Sequence, residues 1–83
     1  MKSIYNDEYK IFVNLLKEHR ISKKLNQGEL AEKLGWANHT YVSKMELFER
    51  RIDVIEFRNI CFAIGISPIE FMQEFEERLK EEN

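Results

Sequence analysis

The sequence predicts an all-α fold of five short helices in one domain. Glycine and proline are scarce, three and one in 83 residues, and no segment alternates apolar and polar side chains at period two. Three segments carry a capping-box pattern, a small polar residue followed three positions later by glutamate: Asn26 with Glu29, Asp53 with Glu56, and Ser67 with Glu70. Apolar residues follow each of these starts at the three- and four-residue spacing of a helix face. A chain of 83 residues supplies one hydrophobic core and not two, so residues 1–83 are read as a single domain.

Asn6 is expected to cap the first helix, with Asp7 and Glu8 in the turn where negative charge is favoured. Tyr9, Phe12, Val13, Leu16 and Arg20 make one inward stripe, and the helix is expected to end near Lys23. The second helix starts at Asn26, presents Leu30, Ala31 and Leu34, and stops at the glycine Gly35. A turn through Trp36 and Ala37 leads to Asn38, the expected cap of a third helix from about His39 to Leu47. These two helices and their tight turn form a helix-turn-helix over about residues 26–47.

Asp53 opens the fourth helix, whose inner face is Phe57, Ile60, Cys61 and Ile64 and which ends at Gly65. Pro68 sits first in the fifth helix, about residues 68–82, where its missing N–H costs least. Phe71, Met72, Phe75 and Leu79 share one side of that helix and glutamates occupy the other.

Charge does not decide the function. The net charge is −2, but residues 70–83 hold six acidic and two basic side chains, which leaves residues 1–69 with +2. A weakly basic body with an acidic tail can bind an anion if its cations converge on one face. No apolar run approaches the roughly 20 residues needed to span a bilayer. The first residues have neither region of a signal peptide, and the single cysteine suits a reducing compartment, so a cytoplasmic protein is expected.

Enzyme chemistry is not expected. Cys61 and His19 belong to separate helices with no third partner, and there is no glycine-rich phosphate loop. Two histidines and one cysteine on different elements make no metal set, and no cofactor is implied. Cys61, on an inner face, reads as a small buried hydrophobe before it reads as a redox switch.

Arg20, then Leu25, Asn26 and Gln27, then Glu29, Leu30 and Ala31, then Leu34 and Gly35, then Val42 to Glu46, and finally Ala63 to Pro68 stand in a fixed order and spacing. Over roughly residues 15–72 this pattern resembles the lambda-repressor-like, Cro/CI-type (XRE) helix-turn-helix family. The resemblance implies a compact five-helix lambda-repressor-like DNA-binding domain. It also implies a sequence-specific transcriptional regulator, a repressor by preference, binding a palindromic double-stranded DNA operator as a homodimer.

Residue by residue, the resemblance places Asn38, His39, Thr40 and Lys44 where bases are read. In that position lysine suits guanine, asparagine suits adenine, and threonine can offer its methyl to thymine. Gln27 looks like the glutamine that bonds a phosphate at the start of the second helix. Tyr41, Ser43, Arg50 and Arg51 are read as contacts to the DNA backbone, with Lys23 and Lys24 as further candidates. Arg20 and Glu46 resemble a structural ion pair bridging the first helix to the end of the third. For the charged residues the plainer reading is solvated surface charge.

Trp36 is read as a plug between helices, with stacking on DNA as the alternative. The sequence departs from the family pattern twice. The turn holds one residue more than usual, most simply Ala37, and Leu47 with Phe48 replace a polar or basic residue and a glycine.

Two adjacent large apolar side chains there suggest extra core or a contact surface. Leu47, Phe48, Phe71, Met72, Phe75 and Leu79 are therefore the expected dimer or partner contacts. The competing class is a protein-interaction module on a helix-turn-helix scaffold, such as an antitoxin that holds a toxin partner.

Overall fold

In the computed structural model, residues 7–82 are described, and they form five helices: α1 (Asp7–Ser22), α2 (Gln27–Leu34), α3 (Thr40–Glu46), α4 (Val54–Ile64) and α5 (Pro68–Glu82). The cap expected at Asn6 lies outside the described residues. Capping decides where the others start. Asn26 Oδ1 accepts from Glu29 N (2.7 Å) while Glu29 Oε1 accepts from Asn26 N (2.8 Å). Asp53 and Glu56 repeat this exchange at 2.7 and 3.0 Å, and Glu70 N donates to Ser67 Oγ at 3.2 Å. These bonds satisfy amides that have no carbonyl partner within the helix.

The start of α3 differs. His39 occupies the cap position with no side-chain cap bond, and Asn38 Oδ1 accepts from Thr40 N (2.8 Å) instead. Asn38 thus holds an Asx-type turn one residue ahead of its expected place, and α3 begins one residue later than the sequence reading.

Helices α1 to α4 end alike, on a residue in the left-handed region: Lys24 (φ 60°), Gly35 (72°), Phe48 (64°) and Gly65 (93°). The amide that follows each one reaches back five residues: Leu25 to Arg20, Trp36 to Ala31, Glu49 to Lys44, and Ile66 to Cys61, at 2.8–3.2 Å. Glycine adopts this conformation without a Cβ clash, whereas at Lys24 and Phe48 it costs about 1–2 kcal/mol.

Helix α1 packs against α3, α4 and α5, while α2 packs against α3 and α4 and α4 against α5. The buried residues come from all five helices: Val13, Leu15 and Leu16; Leu30 and Ala31; Val42 and Met45; Phe57, Ile60, Cys61 and Ile64; and Phe71. Phe12 is the aromatic hub, with the Phe57, Phe71 and Phe75 rings 5.1, 5.3 and 5.3 Å away. Edge-on and tilted rings at this distance add to the stabilisation from burial. Tyr9 Oη accepts from Ile52 N (3.2 Å), which ties the loop before α4 to α1.

Three residues expected on a contact surface belong to the core. Phe71 is 2% exposed, and Phe75 and Phe48 are half-buried against the same cluster. Phe71 and Phe75 of the α5 stripe pack on the Phe12 ring of α1, whereas Met72 of the same stripe stays exposed.

Candidate nucleic-acid interface

The helix-turn-helix is braced from below by a buried polar network. Arg20 on α1 donates from Nε to Glu46 Oε2 (2.7 Å), from Nη2 to Glu46 Oε1 (3.0 Å), and from Nη1 to the Leu25 carbonyl (2.6 Å). Gln27 Nε2, at the start of α2, donates to Glu46 Oε1 (2.9 Å). Arg20 and Glu46 are 7% and 5% exposed, a depth at which charges persist only when paired and hydrogen-bonded. The network joins the end of α1, the start of α2 and the end of α3. Gln27 is thereby partly committed: one of its two amide hydrogens faces Glu46, leaving the other for an outside acceptor.

Helix α3 is held by Val42, Met45 and Glu46, all buried. What it does not bury is the opposite face: Asn38, His39, Thr40, Tyr41 and Lys44 are exposed, and Ser43 is half-buried. The four residues read as base contacts therefore share the outer side of this helix and its leading turn. Asn38 Oδ1 is engaged by Thr40 N, so the side chain offers its amide hydrogens outward.

The cations around α3 are not equivalent. Lys23, Lys24, Lys44 and Arg51 are exposed, with the Arg51 guanidinium 4.8 Å from the Tyr9 ring centre. Arg50 is drawn inward. Its Nη2 donates to Glu56 Oε2 (2.7 Å), and its Cζ lies 4.9 Å from the Trp36 ring and 5.7 Å from the Tyr41 ring. Arg50, expected among the contacts to the DNA backbone, is 31% exposed and paired to Glu56 beside the two rings. Trp36 is half-buried against the core with its ring edge-on to Tyr41 at 6.2 Å, so the plug reading describes its place.

Of the expected partner contacts, Leu47 and Met72 are exposed and Leu79 is half-buried. The sequence reading missed Val54, Ile55 and Ile69, which are 61–73% exposed. Phe57, Ile69 and Met72 line one shallow groove, and Phe57, Met72 and Val54 line the next. The signal was present: once Phe57, Ile60, Cys61 and Ile64 define the inner face of α4, Val54 and Ile55 have no inward place. A bridge between His19 Nε2 and Glu74 Oε1 (2.7 Å), joining α1 to α5, was also missed, since the partners lie 55 residues apart.

Burial pushes the Cys61 thiol up to about 11, so it is held protonated and unreactive. Among the described residues no three His, Cys, Asp or Glu side chains are grouped to hold a metal ion, and no described helix is long and apolar enough to cross a membrane.

This fold has a relative of known structure. The "XRE-family like protein" from Pseudomonas syringae pv. tomato str. DC3000 is 40% identical over 90% of both chains, with a TM-score of 0.83. The chain belongs to the XRE family. Its fold is also that of the wild-type restriction–modification controller protein C.Esp1396I, at 20% identity over 89% of this chain and 96% of that one, with a TM-score of 0.81. The tetramer of that controller in complex with its natural 35 base-pair operator matches at 21% identity over 87% and 93% of the two chains, TM-score 0.78. No family model and no curated protein matches the sequence. The residues that carry the family pattern belong mostly to the buried brace, the core and the helix ends, with Lys44 the one on the exposed face of α3.

Proposed function

We propose that this XRE-family chain is a sequence-specific DNA-binding transcriptional repressor, acting in the cytoplasm as a homodimer on a palindromic operator. The observation that carries the reading is the division of α3. One face is locked by Val42, Met45 and the Glu46 network, and the other exposes Asn38, His39, Thr40, Tyr41 and Lys44 with no role in the core. A short rigid helix with a polar and cationic outer face suits insertion into the major groove, where such side chains meet base edges. Arg51, Lys23 and Lys24 supply backbone contacts that fix the register. A controller of this fold is described on its own operator, which supports the same use here.

One reading helix of seven residues contacts few base pairs, so a second copy adds specificity. The surface that supports a dimer is Leu47 with Val54, Ile55, Ile69 and Met72, five of the large apolar side chains the core leaves exposed. Lys44→Glu combined with Arg51→Glu is expected to abolish binding to duplex DNA in a gel-shift titration while the helical circular dichroism stays unchanged. Retained binding by a folded double variant would place the DNA surface elsewhere.

A further inference from the structure

The reading end of α3 has an unusual construction. The helix is only seven residues long, its cap residue His39 makes no side-chain cap bond, and the turn before it is exposed from Ala37 to His39. The buried network through Glu46 anchors the other end. Besides the bond from Thr40 N to Asn38 Oδ1, the leading turn is flanked by the ring pair of Trp36, before the turn, and Tyr41, inside the helix, edge-on at 6.2 Å with planes at 90°.

The Arg50 guanidinium lies against both rings, 4.9 and 5.7 Å from their centres. It is held there from behind. Glu56 Oε2 accepts from Nη2 at 2.7 Å, and Glu56 is itself fixed because its Oε1 accepts from Asp53 N in the capping box of α4. The other amino group, Nη1, is buried and has no hydrogen-bond partner within the protein. That amino group is shielded from water and hence from a phosphate while the side chain keeps this position, although the side chain as a whole is 31% exposed. A cation between aromatic faces is stabilised most where water is excluded.

We propose that Arg50 is a positioning residue: through Trp36 and Tyr41 it transmits the fixed start of α4 to the reading end of α3, and it is not a phosphate contact. The inference rests on the DNA-binding reading. A chain of contacts runs from the Asp53 amide to Glu56, to Arg50 and to the two rings, and Tyr41 follows His39 and Thr40 directly in the chain. Arginine is required because its fork pairs with Glu56 while its Cζ stays 4.9 and 5.7 Å from the two ring centres, a span that a lysine ammonium cannot cover at once.

The test uses Arg50→Lys, Arg50→Gln and Glu56→Gln, each checked by thermal melt, in competition binding to a selected duplex against a scrambled one over a range of salt. All three are expected to lose discrimination between the duplexes by about tenfold, the scale of one cation–aromatic contact. The salt slope is expected to stay that of the wild type. Trp36, the only tryptophan, is expected to emit further to the red and to be quenched more by acrylamide.

Glu56→Gln is the sharpest variant, because a carboxylate cannot contact phosphate and its removal would by charge alone favour DNA. A phosphate contact would give the opposite pattern: Arg50→Lys rescues, Arg50→Gln lowers the slope by about 0.9 per contact, and Glu56→Gln binds no worse. That result overturns the proposal. If the wild type discriminates no sequence at all, the DNA-binding reading fails by itself. Unchanged Trp36 emission in all three variants would then overturn the hold of Arg50 on the turn, independently of DNA.

Discussion

Replacing Glu46 by alanine is expected to be among the most damaging single changes in the domain. Glu46 accepts two bonds from Arg20 and one from Gln27, and both members of the ion pair are more than nine-tenths buried. Glu46→Ala leaves Nε and Nη2 of a buried guanidinium without partners, with only the Leu25 carbonyl still bound to Nη1. Stranding a buried charge in this way costs about 3–5 kcal/mol. A domain of 83 residues has a total stability of only about 4–12 kcal/mol, so the loss removes about a quarter of it at least. The midpoint of thermal unfolding is expected to fall by at least about 12 °C.

The assay is urea denaturation followed by far-ultraviolet circular dichroism, with the double variant Arg20→Met, Glu46→Leu alongside. The double variant is expected to be more stable than Glu46→Ala, since neither side chain then leaves a charge in the core. A single-variant loss below about 1 kcal/mol, the worth of a surface pair, would refute the reasoning. A double variant no better than the single would refute it equally.

Other outcomes follow from the same geometry. Gly35→Ala is expected to cost about 1–2 kcal/mol from the left-handed backbone alone, because an added Cβ meets no atom within 4 Å; a neutral result in a urea melt would contradict this. Asp53→Ala, which removes one half of a capping box, is expected to cost about 1 kcal/mol by the same measurement. The Cys61 thiol is expected to react with a disulfide reagent only after denaturation; rapid labelling of folded protein would contradict its burial. Because folding raises that thiol from its ordinary 9.0 to about 11, its contribution to stability is complete below pH 9 and is lost as pH rises from 9 toward 11, which a pH series of melts checks.

Local chemistry made much of the fold readable from sequence. The starts at Asn26 and Asp53 and the stops at Gly35 and Gly65 are set by interactions within five residues, and the structure places them there. The stops at Lys24 and Phe48 use the same left-handed geometry without glycine, so composition does not reveal them. Phe48 also shows why an apolar residue in a loop is a weak sign of a partner surface: its ring packs on the core, with Lys10 Nζ 5.8 Å from the ring centre.

The same ambiguity affects α5. Its apolar stripe was visible, but whether Phe71 and Phe75 face a partner or the Phe12 ring depends on how α1 and α5 dock, which no local rule gives. Around the candidate site, the exposed positions of Thr40, Tyr41 and Lys44 follow from helical spacing once Val42 and Met45 face inward. The inward turn of Arg50 does not, since it depends on Glu56 six residues later and on a tryptophan in an irregular turn.

The role proposed for the outer face of α3 is to read DNA sequence from a symmetric dimer. The most direct measurement is selection of the folded protein against a random duplex library at near-physiological salt, where phosphate attraction alone is weakened. Enrichment of a two-fold-symmetric motif, with half-sites about 34 Å apart on the duplex, is the predicted result. Absence of any enriched sequence from demonstrably folded protein would contradict the claim.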